Sequence, residues 1–457
     1  MTTTMQLIAK QTVGAGGASS VTFSNIPQTY TDLKIVASVR GSTSQVYDVM
    51  SMQINGTSTF NWKKLEGSGS AASSASGTTN DNIAVMVGAN ATASTFGSAD
   101  IYIPNYTVSG VNKSISVDSV SENNATTAYT DFYASLWTGT AAVTSISFTP
   151  QTSPFKEFST FYLYGISNNT TTQATTVPYA SGGDVITTDG SYWYHAFKYS
   201  GSFTPLKNLS ADVLVVAGGG GGGGNYGAGG GGGAGGLLTF SAQALTANTG
   251  LTCTVGAGGA AGANSPGNAT NGGDSQFGAL TLVKGGGGGG TYQNNGALGG
   301  SGGGGGGGDA TTSGGSATSG QGNTGGGGPG TGSTYTAGGG GGAGGAGTAG
   351  AATNVGGNGG IGYYNSLTDA MGVATATGVL SSTHYYYAGG GGGGAGAASG
   401  PYNGTAGTGG TGGGGAGATN SNNGTAGTAN TGGGGGGTRQ GNGAAGGSGI
   451  IIVRYAV

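Results

Sequence analysis

Charge is scarce in this chain. Of 457 residues, 12 are Lys or Arg and 15 are Asp or Glu, for a formal net charge of -3. No basic or acidic field is available to recruit nucleic acid or anionic lipid, so no nucleic-acid partner is expected. Cysteine is nearly absent. The single Cys253 excludes an intramolecular disulfide framework and a multi-cysteine metal site. No apolar run is long enough to cross a bilayer as a helix, and no membrane insertion is expected. Met1–Val13 lacks a basic segment followed by an apolar core, so no secretory signal is read there. That pattern fits a protein made in a cytoplasm.

Glycine fills the space these residues leave. Of 113 glycines, 17 lie before Val213 and 96 in the 245 residues from Val213 onward. Lysine and arginine divide the other way, nine before Val213 and three after it, at Lys284, Arg439 and Arg454. The two halves obey different physics.

Residues 1–167 alternate. Leu33, Ile35, Ala37 and Val39 form one block; Met50, Met52 and Ile54 another; then Ile83, Val85 and Val87, then Ile101 and Ile103, then Phe132, Ala134 and Leu136. A period of two puts one face inward and leaves the other solvated. Turn residues such as Asn55-Gly56 separate the blocks. Many short strands without helical periodicity predict a jelly-roll-like β-sandwich, with Phe60, Trp62, Tyr133 and Trp137 filling its core. Residues 168–176 read as a polar linker, and Gly182–Ser202 as a small β-element, so 168–212 is expected to connect the two halves.

From Val213 apolar strands bracket glycine runs. Val213–Val216, Leu251–Val255, Leu280–Val283 and Ile450–Val453 start or close them. The runs include 227–236, 285–290, 299–308, 338–347, 389–396, 404–417 and 432–437. A flexible linker is the ordinary reading of such composition. Interruption by alanine rather than serine, and the bracketing strands, argue for order instead. Collagen is excluded, because the chain has only nine prolines and its glycines are continuous. What remains is a packed set of polyproline-II-type helices made of glycine. Such a helix makes no internal hydrogen bonds, so its amides must be satisfied by neighbours. The expected fold class is mainly β plus polyglycine-II, with 213–457 forming a glycine-rich helical sandwich.

Enzymatic signatures are weak. GxGxxG matches carry no information in a chain this rich in glycine. No Walker A, HExxH or metal-ligand cluster is present in the sequence, and the two histidines lie far apart. His195, in YWYHAF, reads as a structural, hydrogen-bonded histidine, and Asp274 as a turn cap. Asp100, Asp118, Glu122 and Asp131 are the acids that could furnish a glycan-cleaving pair, a minor alternative to binding. No catalysis, cofactor or metal is expected.

The informative residues are tyrosines in the loops: Tyr226, Tyr292, Tyr335, Tyr363, Tyr364, Tyr385, Tyr386 and Tyr387, with His384 beside the last three. They either cap the sandwich ends or present a rigid, amphipathic recognition surface. If successive runs cross in alternating directions, the turns at Asn225-Tyr226, Thr291–Leu298, Ser333–Ala337 and Tyr363–Ala388 are expected at one end. Asp309–Asn323 and Thr348–Val355 are then expected at the other.

One resemblance sharpens this. Gly190-Ser-Tyr-Trp-Tyr-His-Ala-Phe, Asp212-Val-Leu-Val-Val-Ala-Gly-Gly-Gly, Thr254-Val-Gly-Ala-Gly-Gly, Gly273-Asp-Ser-Gln-Phe-Gly and Gly449-Ile-Ile-Ile-Val-Arg-Tyr resemble the glycine-rich domain of phage tail-fibre and virion structural proteins. The same polyglycine-II sandwich is familiar from tip adhesins of T-even-like phages. The resemblance implies a virion surface protein whose glycine helices are scaffold and whose loops contact a host surface protein or polysaccharide. Attachment to other virion proteins, in tail, fibre or capsid, is then expected through residues 1–167, and a homo-oligomer such as a trimer is compatible with it. The alternative is a structural virion component, a capsid decoration or fibre shaft, without receptor binding.

Overall fold

The computed structural model describes residues 5–78, 82–123, 127–167, 177–224, 227–263, 269–330, 334–397, 404–419 and 422–457. The chain is mainly β and divides into two compact units. The first comprises Met1–Pro178 with Val185–Asp189, and the second Tyr179–Asp184 with Gly190–Val457. The expected connecting stretch 168–212 is therefore shared out. Residues 185–189 belong to the first unit and the strands after Gly190 to the second. The polar linker 168–176 lies outside the described residues.

The first unit holds β1 (Met5–Thr12), β2 (Val21–Phe23), β3 (Asp32–Val39), β4 (Tyr47–Ile54), β5 (Phe60–Gly67), β6 (Ala72–Thr78), β7 (Asn82–Val87), β8 (Gly97–Ile103), β9 (Lys113–Val120), β10 (Thr130–Trp137), β11 (Ile146–Pro150) and β12 (Thr160–Ile166). After β13 (Ala180–Ser181), which belongs to the second unit, comes β14 (Val185–Thr188). One antiparallel sheet runs β14-β1-β12-β3-β8-β9-β10-β5-β6, the other β2-β11-β4-β7. Their facing apolar residues, including Leu33, Ile35, Met52, Ile101, Phe148, Phe161 and Trp137, form one buried core. Phe148 of β11 stacks on Phe161 of β12 at 5.3 Å. This is a β-sandwich, and the alternating blocks sit in it as their period requires, with two exceptions. In β7 both faces are buried, Ala84 and Met86 as well as Ile83, Val85 and Val87. In β10 the inward set is Asp131, Tyr133, Ser135 and Trp137, while Phe132 is 53% exposed. The inward phase buries Tyr133 and Trp137 in the core and carries Asp131 in with them, where Lys64 of β5 lies 3.7 Å away. Trp62 is only partly buried; Phe60, Tyr133 and Trp137 are core.

The second unit is founded on β15 (Tyr192–Phe197), β16 (Gly201–Pro205), β17 (Leu209–Val216), β18 (Leu237–Leu245), β19 (Leu251–Thr254) and β20 (Gln276–Phe277). Short ladders pair β21 (Thr311–Thr312) with β22 (Gly328–Pro329) and β23 (Thr334–Thr336) with β26 (Ala395–Ala397). Another pairs β24 (Val379–Ser381) with β25 (His384–Tyr386), and β27 (Ile450–Ala456) ends the chain. In the base sheet β17 lies between β18 and β27, and β27 lies between β17 and β15. Val213–Val216 and Ile450–Val453 are fully buried, which is why they read as unbroken apolar runs rather than alternating ones.

Beyond β17 the backbone satisfies itself sideways. Gly218 and Gly221 donate to Gly273 and Thr270, Gly219 and Gly222 to Gly447 and Ala444, and Gly220 and Gly223 to Gly233 and Gly230, all at 2.8–3.0 Å. Donors thus return to the same neighbour every third residue. Partner numbers fall as donor numbers rise, so these three neighbours are antiparallel. The carbonyls of the same six residues accept from three further runs. Gly286 and Gly289 reach Gly218 and Gly221, Gly259 and Gly262 reach Gly219 and Gly222, and Gly435 and Thr438 reach Gly220 and Gly223. Those numbers rise together, so these runs are parallel. One glycine run is thereby enclosed by six others. A Cβ at Gly222 would stand 2.1 Å from Gly436 O, and one at Gly221 2.0 Å from Ala260 O. No side chain fits between runs this close, which is the physical reason for their composition.

Candidate functional site

Run directions decide where each loop emerges. Strand β17 feeds residue 217, so the start of 218–223 is the entry end and Gly224 marks the far end. Run 285–290 is parallel to 218–223, and 301–304 is parallel to 287–290 through Gly287 to Ser301 and Gly290 to Gly304. Run 338–341 is antiparallel to that, through Gly338 to Gly305 and Gly341 to Gly302. Run 357–360 is parallel to 337–340, through Gly357 to Ala337 and Gly360 to Gly340. The chain therefore reaches Tyr292 at the far end, leaves Tyr335 from the far end, and reaches Tyr363 at the entry end.

This corrects the expected grouping. Tyr292 and Tyr335 share an end, but Tyr363–Ala388 lies at the opposite one, and Asp309 joins the tyrosines instead of facing away from them. The crossings missing from that grouping are 294–297, antiparallel to 287–290; 313–316, parallel to 296–299 through Gly296 to Ser313 and Gly299 to Ser316; and 345–348, antiparallel to 339–342 through Gly342 to Gly345 and Gly339 to Thr348. Their side chains point outward from the packed set, so they do not read as glycine runs. Tyr226 lies outside the described residues.

At the far end Asp309 gathers the aromatics. Tyr292 Oη donates to Asp309 Oδ2 at 2.6 Å and Tyr335 Oη to Oδ1 at 3.3 Å. The two rings meet edge to face at 5.9 Å. The hydrogen bond to Asp309 pushes the Tyr292 phenol up to about 12. Beneath them the Arg439 guanidinium, 1% exposed, lies 5.3 Å from the Tyr335 ring. The Tyr292 ring also covers backbone, since a Cβ on Gly227 would stand 2.3 Å from it and one on Gly308 2.7 Å. Asp309 and Arg439 were not singled out in the sequence. Their only signal was being charged residues among glycines.

At the entry end the insertion is a small helix and hairpin closed by a neck, where Tyr363 and Tyr387 exchange backbone hydrogen bonds of 2.8 and 3.1 Å. Helix α1 (Ser366–Thr375) begins at Asn365, whose side chain accepts from Thr368 N while Thr368 Oγ1 accepts from Asn365 N, both at 2.8 Å. Ala376 ends it in the left-handed region at φ 50°. This helix was not expected; Asn365 followed by Thr368, with Asp369 in the first turn, is the signal that marks it. Asp369 accepts from Tyr385 N and contacts His384 Nδ1, each at 2.7 Å. Tyr385 packs on Gly372, and buried Tyr387 places Oη 2.8 Å from Thr377 Oγ1.

His195 is structural. Fully buried in β15, its ring nitrogens lie 2.6 Å from Gly182 O and 2.9 Å from Tyr455 Oη. Asp274 holds Lys284 Nζ at 2.7 Å and accepts from Gly285 N at 2.8 Å. Among the candidate acids, Asp100 stands opposite Asp118 across β8 and β9, while Asp131 stands opposite Ser119. Asp118 and Asp131 thus occupy opposite faces of the sheet. Among the described residues no group of three His, Cys, Asp or Glu side chains could hold a metal.

A glycine-rich domain of known type matches residues 196–456. The match opens in β15 and closes in β27, strands that pair directly, Ala196 opposite Ile452. The chain belongs to this glycine-rich domain family. Among curated proteins, none matches it.

Proposed function

We propose that this chain is a phage virion surface protein, an adhesin that meets the host cell through the far-end loops of its glycine-rich domain. The supporting observation is the Tyr292–Asp309–Tyr335 cluster. Two aromatic side chains are held on one carboxylate at the end of a scaffold whose backbone is hydrogen-bonded in three dimensions. A recognition surface that is rigid before binding loses little conformational entropy on binding. The glycine runs are taken to be polyglycine-II helices, a reading supported by the three-residue return of their hydrogen bonds. The first unit is proposed to attach to other virion proteins, as a jelly-roll-like module.

A second reading is a capsid decoration or fibre shaft. The Tyr292 ring lying over Gly227 and Gly308 favours it, because a lid on exposed backbone needs no receptor. Immunogold electron microscopy of particles separates the two. Label at fibre tips supports the adhesin, and label spread over the capsid or along a shaft supports the decoration or shaft. Particles lacking residues 1–167 should carry no label. Label retained without those residues removes the attachment role from the first unit.

A further inference from the structure

The insertion presents an aromatic surface that the far-end reading leaves without a role. Tyr364 lies over two rings of β25: His384 at 4.3 Å and 29°, and Tyr386 at 4.7 Å and 53°. Tyr364 is held by this packing, yet the residue remains 42% exposed. Its support is fixed. Asp369 grips both His384 and the β25 backbone, α1 is capped at both ends, and Tyr387 ties the hairpin to Thr377. With Nδ1–H donated to a carboxylate, Nε2 becomes the acceptor of the His384 ring. That side chain is 40% exposed.

Chemistry narrows the ligand. The exposed part of an immobilised tyrosine ring attracts a row of C–H groups, whose positive edges meet the negative π-system. A pyranose ring offers such a row on one face and hydroxyl donors around its rim. His384 Nε2 and the Asp369 carboxylate are acceptors beside the tyrosine. The insertion 363–387 contains no Lys or Arg, so none of its own residues offers an acidic sugar a permanent cation, and the Asp369 carboxylate would face it. We propose that Tyr364, His384 and Asp369 form a binding platform for neutral pyranose saccharides, at the end of the glycine lattice opposite the Tyr292–Tyr335 cluster and independent of it.

The test is a glycan array of neutral and acidic oligosaccharides probed with the full chain, followed by calorimetric titration of the best ligand. Neutral pyranosides should be retained, in the presence of EDTA as well. Tyr364→Leu should weaken binding roughly tenfold, while Tyr364→Phe, which keeps the ring, should change it by no more than about twofold. Tyr335→Ala should leave it unchanged. The proposal is overturned if no neutral glycan is retained, if acidic glycans are preferred, or if Tyr364→Leu binds as the parent does. Loss on Tyr335→Ala without loss on Tyr364→Leu would place saccharide binding at the far end and overturn it equally.

Discussion

His195 Nε2 and Tyr455 Oη lie 2.9 Å apart inside the second unit, with the imidazole sealed from water. Burial pushes this histidine down to about 4 from an ordinary 6.5, and the contact with Gly182 O only partly offsets that. The unfolded chain takes up a proton below about 6.5, whereas the native state resists until about 4. Stability of this unit should therefore fall as pH drops from about 6.5 to about 4, by roughly 3 kcal/mol in all. Urea denaturation at several pH values reads this directly. His195→Gln should cost stability at neutral pH and remove His195's share of the slope. An unchanged slope in that variant means another group titrates.

Glycine at the centre of the lattice is expected to be irreplaceable, whereas Gly250, in a loop where a Cβ would make only ordinary contacts, is not. Gly222→Ala brings a methyl to 2.1 Å from Gly436 O, so runs must separate and lateral hydrogen bonds lengthen, at a cost of about 3 kcal/mol. Gly342→Val, whose Cβ would meet Ile361 O at 2.2 Å, should cost at least as much. At Gly250 the nearest atom to a Cβ is Ser202 Oγ at 3.5 Å, and Gly250→Ala should melt within a degree or two of the parent. Equal melting of the central and loop variants would show a lattice loose enough to absorb a methyl.

Arg40 should be the most sensitive polar residue of the first unit. Its guanidinium is buried and donates to the carbonyls of Ala89, Ala91, Thr92 and Thr95 at 2.8–3.1 Å. Arg40→Ala leaves those carbonyls without their donor and should cost about 3–5 kcal/mol in urea denaturation. Arg40→Lys should lose most of the same amount, because an ammonium cannot reach four carbonyls in one plane. A loss below about 1 kcal/mol for either variant would mean that water replaces the guanidinium.

The sandwich and the glycine lattice were both legible in the sequence, for different reasons. Leu33, Ile35, Ala37 and Val39 face the core because a strand alternates, and continuous glycine is tolerated only where backbone meets backbone. What was not legible depended on single residues overruling a pattern. Phe132 is exposed because Tyr133 and Trp137 take the inward face, and a one-residue phase decides every side chain of β10. The grouping of loops failed because 294–297 and 313–316 are crossings despite their polar residues, and because 338–347 turns back on itself between Gly342 and Gly345. Each such crossing sends all later loops to the other end. Asp309 could not be picked out, since a carboxylate 16 residues beyond Gln293 becomes a partner of that loop only through the turns between them.

An adhesin of this design must touch the host with its far end. Phage particles carrying Tyr292→Ala and Tyr335→Ala together should assemble with normal protein content and adsorb to host cells at least tenfold more slowly, an expectation drawn from the share of binding energy that aromatic anchors usually carry. Particles carrying Leu380→Ser, a 57% exposed residue of the entry-end insertion, serve as the control and should adsorb normally. Wild-type adsorption rates for intact Tyr292→Ala, Tyr335→Ala particles would contradict the adhesin reading and leave those tyrosines as a cover for the lattice.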